Sequence, residues 1–242
     1  MFFARKSLAG NLLLVFWVFY EKTRFTMENK QAAVAGATGL TGSYLCQLLG
    51  KSDAYAKVWA LVRRETDLPQ GVSPLLVDWE HIEATPPDAP LDEAFCCLGT
   101  TMKKAGSKEA FRKVDHDYVL AFARWAYAHG CRRFFAVTAM GADKRSVFFY
   151  NRVKGEVEEA LAQIGFESLY IFRPSLLLGQ RHESRPAEQI SARLSAFFRP
   201  LIPLRYRPVE AGRVAWAMYR CAQNPEKGKF IIENDQILKL SS

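Results

Sequence analysis

Residues 36–42 read Gly-Ala-Thr-Gly-Leu-Thr-Gly, with Gly36, Gly39 and Gly42 at intervals of three. The apolar run QAAVAG (31–36) precedes them, and LTGSYLCQLLGK (40–51), with helical spacing, follows. A strand that turns this sharply into a helix needs residues without a Cβ. The first glycine allows the tight turn, the second lets backbone approach a ligand, and the third lets helix and strand pack closely. The helix then points free N–H groups and the positive end of its dipole at whatever lies beyond the strand. That arrangement suits a pyrophosphate.

The rest of the chain fits the same plan. Strand-like runs at 57–64, 73–79, 93–99, 132–138 and 166–173 alternate with helical periods at 111–130 and 147–164. Several runs are apolar at consecutive positions, as strands buried on both faces are. This predicts an α/β protein of Rossmann type, a doubly wound parallel sheet with helices on both sides. Residues 174–208 hold five prolines and many arginines and read as a small irregular carboxyl-terminal cap. A helix at 209–222 and a strand at 228–234 close the pattern. The chain of 242 residues, 49% hydrophobic, is long enough for one such domain, taken as 27–242. No linker splits it.

Residues 1–26 stand outside this plan. They combine Arg5, Lys6, Lys22 and Arg24 with an apolar run from Leu8 to Tyr20. The run is short for a spanning helix, and no small-residue cleavage site follows it. The expectation is that Met27 is the natural start, which the mass of the native chain would check. The rival reading is a membrane-associating helix, so a membrane partner is expected only if residues 1–26 are native.

The net charge is +8. A basic surface attracts an anionic cofactor as well as it attracts nucleic acid, and no zinc-finger or RNA-binding signature is present, so no nucleic-acid partner is expected. The five cysteines lack disulfide spacing. They suit a reducing compartment and lead to a cytoplasmic expectation. Adjacent Cys96 and Cys97 point to opposite faces of a strand and read as small buried hydrophobes. No metal-ligand spacing is found among the histidines, and no metal is expected.

The second strand sets the cofactor. Sites for NAD usually place an acid at its end to bind ribose hydroxyls; here the chain reads LVRRE. Arg63 and Arg64 suit charge-assisted bonds to a 2′-phosphate, which favours NADP(H) over NAD(H). The alternative has both arginines solvated and Glu65 as the ribose ligand. Asp78, just past the third strand, either fixes the adenine edge or caps a loop.

Tyr150 and Lys154 lie four apart, on one face of the helix at 147–164. A phenol has an ordinary pKa near ~10 and is a poor base at neutral pH. A neighbouring ammonium is expected to lower that value, so the tyrosine can exchange a proton with a carbonyl or alcohol oxygen. Gly155 interrupts this helix at a cost of roughly 1 kcal/mol relative to alanine, and close packing there is one explanation.

In order along the chain stand the glycine run, VDHDYVLAFARWAYAHGCRRFFAVT, YNRVK and FRPSLLLG. Together they resemble the atypical short-chain dehydrogenase/reductase superfamily over residues 31–240. FCCLGTT, KAG, VDHDYVL, GADK, KGEVE and RHESRP are similar, more narrowly, to the HIV Tat-interacting oxidoreductase family and its bacterial NAD(P)-binding relatives. The resemblance implies that Gly36, Thr38, Gly39, Leu40, Thr41 and Gly42 line the pyrophosphate and that Arg63 holds the 2′-phosphate. Leu98, Gly99 and Thr100 would lie along the cofactor, Lys154 would bond the nicotinamide ribose, and Pro174 and Leu176 would pack by the nicotinamide. It also implies a Ser or Thr at the end of the fifth strand. Thr138 can donate a hydrogen bond to the reacting oxygen; Ala139, if it holds that place, cannot.

Arg181, Glu183 and Arg185 of the cap either bind an anionic substrate or lock the cap by salt bridges. The resulting expectation is an NADP(H)-dependent oxidoreductase acting on a small carbonyl or alcohol, with Tyr150 as acid/base. One alternative is a non-catalytic NADP-binding regulator that works through protein partners. The other is a nucleotide-sugar epimerase or dehydratase, for which the cap is short.

Overall fold

In the computed structural model, residues 29–179 and 203–241 are described. The amino-terminal run, Arg181, Glu183 and Arg185 therefore lie outside the described residues.

Strand β1 (Lys30–Ala35) runs up the middle of the sheet, followed by helix α1 (Leu40–Gly50). Strands β2 (Tyr55–Val62), β3 (Val72–Leu76) and β4 (Glu93–Cys96) come next. Short helices α2 (Met102–Ala105) and α3 (Lys108–Arg112) lead through a π-type turn, Lys113–Asp117, into α4 (Tyr118–Ala128). Then follow β5 (Arg133–Val137), α5 (Phe149–Ala162) and β6 (Ser168–Arg173). A two-residue β7 (Leu177–Leu178), β8 (Val209–Glu210), α6 (Ala211–Gln223), β9 (Gly228–Glu233) and α7 (Asn234–Leu240) complete the described chain.

The main sheet has seven strands in the order β3-β2-β1-β4-β5-β6-β9, and every pairing is parallel. This is the Rossmann-type doubly wound architecture expected from the strand-helix alternation. The strand order reverses between β1 and β4, and ligands of such sheets bind at the carboxyl ends of the strands at that switch point. The small second sheet pairs β7 with β8.

Alternation of side chains along each strand builds two cores. On one face Ala33, Ala35, Cys96, Phe134 and Ile171 pack under Phe122 and Ala126 of α4 and Val157 and Leu161 of α5. On the other, Val34, Val58, Phe95, Phe135 and Phe172 pack under Leu45 and Leu49 of α1 and Val214 and Met218 of α6. Cys96 belongs to the first core, while Cys97 packs against the second. Burial pushes the Cys96 thiol up to about 12 and holds it protonated. An aromatic ladder crosses the second face. Phe95, Phe135, Tyr170 and Phe230 sit directly opposite one another on β4, β5, β6 and β9, with ring centroids 4.8, 5.2 and 4.7 Å apart.

Several features differ from the sequence expectation, among them the short helix α2 and the β7–β8 pair. The helix expected over 111–130 is broken by the π-type turn, and α7 lies beyond the last expected element. Among the described residues no helix is long and apolar enough to cross a membrane.

A buried ion network pins the amino-terminal end of the sheet. Glu93 of β4 is fully buried; it takes hydrogen bonds from Lys30 Nζ at 2.8 Å and from the Tyr55 hydroxyl at 2.6 Å, with Arg133 Nη1 at 3.4 Å. Removing one member leaves its partners desolvated and unpaired. Glu93→Ala is expected to cost about 3 kcal/mol of unfolding free energy. Denaturant unfolding checks this, and a loss below about 1 kcal/mol would mean that Lys30 and Arg133 escape to water unpunished.

Candidate active site

The glycine run forms the floor. Gly36 follows β1 with φ +78°, a conformation that favours glycine, and a Cβ there would lie 2.5 Å from the Cys97 carbonyl oxygen. A Cβ on Gly42 would lie 2.1 Å from the Gly36 oxygen. The turn is closed by Gly39 N–H donating to Gly36 O at 2.9 Å. No side chain caps α1, whose first turn holds no acid, so its leading N–H groups and dipole face outward from Gly39. Thr38 and Gly39 are exposed, Leu40 is half-buried and Thr41 is buried. These residues fit a dinucleotide pyrophosphate, because the glycines keep Cβ atoms out of the turn and the helix start is left uncapped.

Arg63 and Arg64 project from the end of β2, exposed, and neither makes an ion pair with a described residue. Asp78 is engaged otherwise: its carboxylate accepts from Glu80 N–H at 3.0 Å and sits 3.0 Å from His81 Nδ1. Of its two readings, the loop cap is the one these contacts match.

The second wall comes from the ends of β4 and α5. Leu98 packs against the first core, Gly99 is exposed, and Thr100 N–H donates to Asp115 Oδ2 at 2.8 Å. Asp115 Oδ1 lies 2.8 Å from Lys154 Nζ, and both residues are buried. A Cβ on Gly99 would lie 3.4 Å from that oxygen and 3.9 Å from Nζ, so the loop backbone passes close over the buried pair. Burial is the largest influence and would lower the Lys154 pKa, but Asp115, with Tyr150 and Cys96 adding to it, outweighs burial and holds the ammonium above its ordinary value.

Tyr150 stands one turn before Lys154, 37% exposed, its ring 5.4 Å from that of Phe111. Its phenol is not lowered, as the sequence led one to expect. Desolvation pushes it up, Lys154 pulls it down, and Asp115 pushes it up again, leaving it above 10.0. Asp115 is the residue of this wall that the sequence reading did not single out. Its signal was the pair of acids in VDHD, which reads equally as a solvated helix start.

Thr138 requires a correction. It is buried at the end of β5, and its hydroxyl donates to Glu158 Oε1 at 2.6 Å. Glu158 in turn pairs with Arg173, whose Nε donates at 3.0 Å, and Arg173 reaches Glu233 at 3.2 Å. A hydroxyl has one proton to give, and this one is spent inside a network tying β5, α5, β6 and β9. Ala139 beside it has no donor. The ends of β5 and β6 are also joined by Met140 N–H donating to Pro174 O at 2.9 Å. Pro174 is buried there, whereas Leu176 is 67% exposed.

A family model described as the NAD dependent epimerase/dehydratase family matches residues 32–199. The chain belongs to that family. Protein HTATIP2 of Rattus norvegicus is 37% identical over 222 residues, spanning 89% of this chain and 91% of that protein. Protein FMP52, mitochondrial, of Eremothecium gossypii is 34% identical over 219 residues, spanning 86% and 96%. These relatives agree with an atypical short-chain dehydrogenase/reductase of NAD(P)-binding fold. Among solved structures, MoeE5 in complex with UDP-glucose and NAD superposes with a TM-score of 0.62 at 15% identity, covering 87% of this chain and 80% of that one. ADP-L-glycero-D-manno-heptose-6-epimerase of Helicobacter pylori gives 0.61 at 14%, covering 89% and 82%. At such identities the likeness is one of fold. The plain cytoplasmic expectation does not stand, because the fungal relatives bear the name mitochondrial.

Gly155 has a clear packing reason. A Cβ there would lie 2.1 Å from Lys144 N and 2.3 Å from the Asp143 carbonyl carbon, where the loop after β5 crosses α5. Helix propensity alone would make Gly155→Ala stabilising by about 1 kcal/mol. The clash is with backbone, which yields poorly, so Gly155→Ala is expected to destabilise by about 1–3 kcal/mol. A thermal melt decides; a raised Tm would contradict this crossing.

Proposed function

We propose that the protein is an NADP(H)-dependent oxidoreductase that reduces a small carbonyl substrate. The observation that carries the reading is the convergence of the glycine turn, Gly99 and the Tyr150–Lys154 pair at the carboxyl ends of β1 and β4. Gly36, Thr38, Gly39, Leu40, Thr41 and Gly42 cradle the pyrophosphate with backbone N–H groups. Arg63 and Arg64 hold the 2′-phosphate. Leu98, Gly99 and Thr100 flank the cofactor, Lys154 orients its ribose, and Pro174 and Leu176 border the nicotinamide end. Bound NADPH supplies the hydride. Tyr150 gives the substrate oxygen a proton and needs Lys154 nearby to steady the phenolate it leaves.

The binding claim is tested by titrating NADPH and NADH against thermal stability. NADPH is expected to stabilise more. Replacing both arginines by alanine removes charge-assisted bonds and should weaken NADPH by roughly 10–100-fold while leaving NADH within about twofold. Equal loss for both cofactors would remove the 2′-phosphate role. For catalysis, Tyr150→Phe should cut turnover by roughly 10²–10⁴-fold with NADPH affinity kept.

One observation favours a second reading, a cofactor-binding regulator of protein partners. Thr138 is spent on Glu158, so the site lacks a free hydroxyl there to bond the reacting oxygen. If the wild-type protein binds NADPH yet oxidises none across aldehydes, ketones and quinones, that second reading takes over.

A further inference from the structure

Asn234, the first residue of α7, is fully buried. A buried amide without partners destabilises a fold, and this one has three partners, all of them backbone. Its Oδ1 accepts from the Ser175 N–H at 3.0 Å, across 59 residues of chain. Its Nδ2 donates to Leu204 O at 3.1 Å and to Arg207 O at 2.8 Å. A backbone N–H only donates and a carbonyl only accepts, so these partners fix which way the amide faces. Both amide protons and the oxygen are engaged.

The bonds meet at two places, the exit of β6 and the chain that comes back at 203–209. At the first, they lock one peptide group. Pro174 O accepts from Met140 N–H at 2.9 Å, and the N–H of that same peptide, on Ser175, donates to Asn234. A planar peptide tied at both polar ends cannot turn without breaking a bond. At the second, residues 203–206 are exposed, and the ion pair of Arg205 with Glu233, at 3.5 Å, is half-exposed and contributes little. Asn234 holds this chain by its carbonyls instead. Ser175 Oγ also donates to Arg207 O, and Val209 N–H to Leu176 O at 3.0 Å, so the returning chain lies along the exit of β6.

We propose that Asn234 is a positioning residue for the nicotinamide half of the cofactor: acting through Ser175, it fixes residues 174–176 against the returning chain. The proposal rests on the cofactor reading above, in which Pro174 and Leu176 border the nicotinamide end. Its effect is confined to that half. The glycine turn follows β1 and Arg63 ends β2, whereas β6 stands on the other side of the switch point, beyond β4 and β5.

The test compares two ligands. NADP⁺ has both halves; 2′,5′-ADP carries the 2′-phosphate and lacks the nicotinamide half. By isothermal titration, Asn234→Ala is expected to weaken NADP⁺ roughly tenfold and to leave 2′,5′-ADP within about twofold. A merely structural role would weaken both alike. A second measurement needs no variant. By linkage, a wall that orders the nicotinamide half is ordered by it. In the wild type, NMR should show the Ser175 N–H and the Asn234 side-chain NH₂ exchanging with water about threefold more slowly with NADP⁺ bound than with 2′,5′-ADP bound. Equal weakening of both ligands, or of neither, in a folded Asn234→Ala overturns the proposal, as do equal exchange rates in the two wild-type complexes. If Asn234→Ala fails to fold, the wild-type exchange decides. A wild type that binds neither ligand sinks the NADP(H) reading and this proposal with it; a wild type that binds both, without the expected difference, removes the role of Asn234 alone.

Discussion

Everything in this molecule depends on how closely backbone approaches backbone at the carboxyl edge of the central strands. Gly36 and Gly42 remove the Cβ atoms that would otherwise meet Cys97 O and Gly36 O at 2.5 and 2.1 Å. That closeness seats α1 on the sheet and leaves its uncapped amino terminus facing the switch point between β1 and β4. A side chain at either position would push the helix away and fill the space where a pyrophosphate is wanted. The two cores and the aromatic ladder then hold the strands rigid beneath this edge.

Above that floor, buried charge is distributed in pairs. Lys154 is desolvated and tolerable only because Asp115 meets it. Glu158 is likewise committed, to Thr138 and Arg173. The second network is structural in consequence: it ties four elements together and commits the Thr138 hydroxyl proton to Glu158. One face of α5 therefore carries the site, through Tyr150 and Lys154, while Glu158 one turn further on anchors it. The loop after β5 crosses between them at Gly155.

Much of this was legible before any coordinates. Runs apolar at consecutive positions announced strands covered on both sides, and the glycine spacing announced the turn, because these signals are local and periodic. The exposed arginines ending β2 were legible for the same reason. Asp115 was not, since its importance comes from a π-type turn and from a partner thirty-nine residues away in sequence (Lys154). Thr138 was read as a donor to substrate because a sequence shows a hydroxyl but not where its proton goes. The α7 helix was missed because NDQILKL is short and weakly periodic, and its capping by Glu233 and Gln236 shows only in space. The cytoplasmic expectation was drawn from cysteine usage, which reports redox conditions and not an address.

The sequence by itself determined the architecture, the position of the dinucleotide-type turn and the helix that bears Tyr150 and Lys154. Each follows from local sterics and from side-chain period, which travel with the chain. Only the tertiary structure decided the charge state of the site. The Tyr150 phenol answers to burial, to Lys154 and to Asp115 together, and the sum of those fields depends on distances that no linear pattern records.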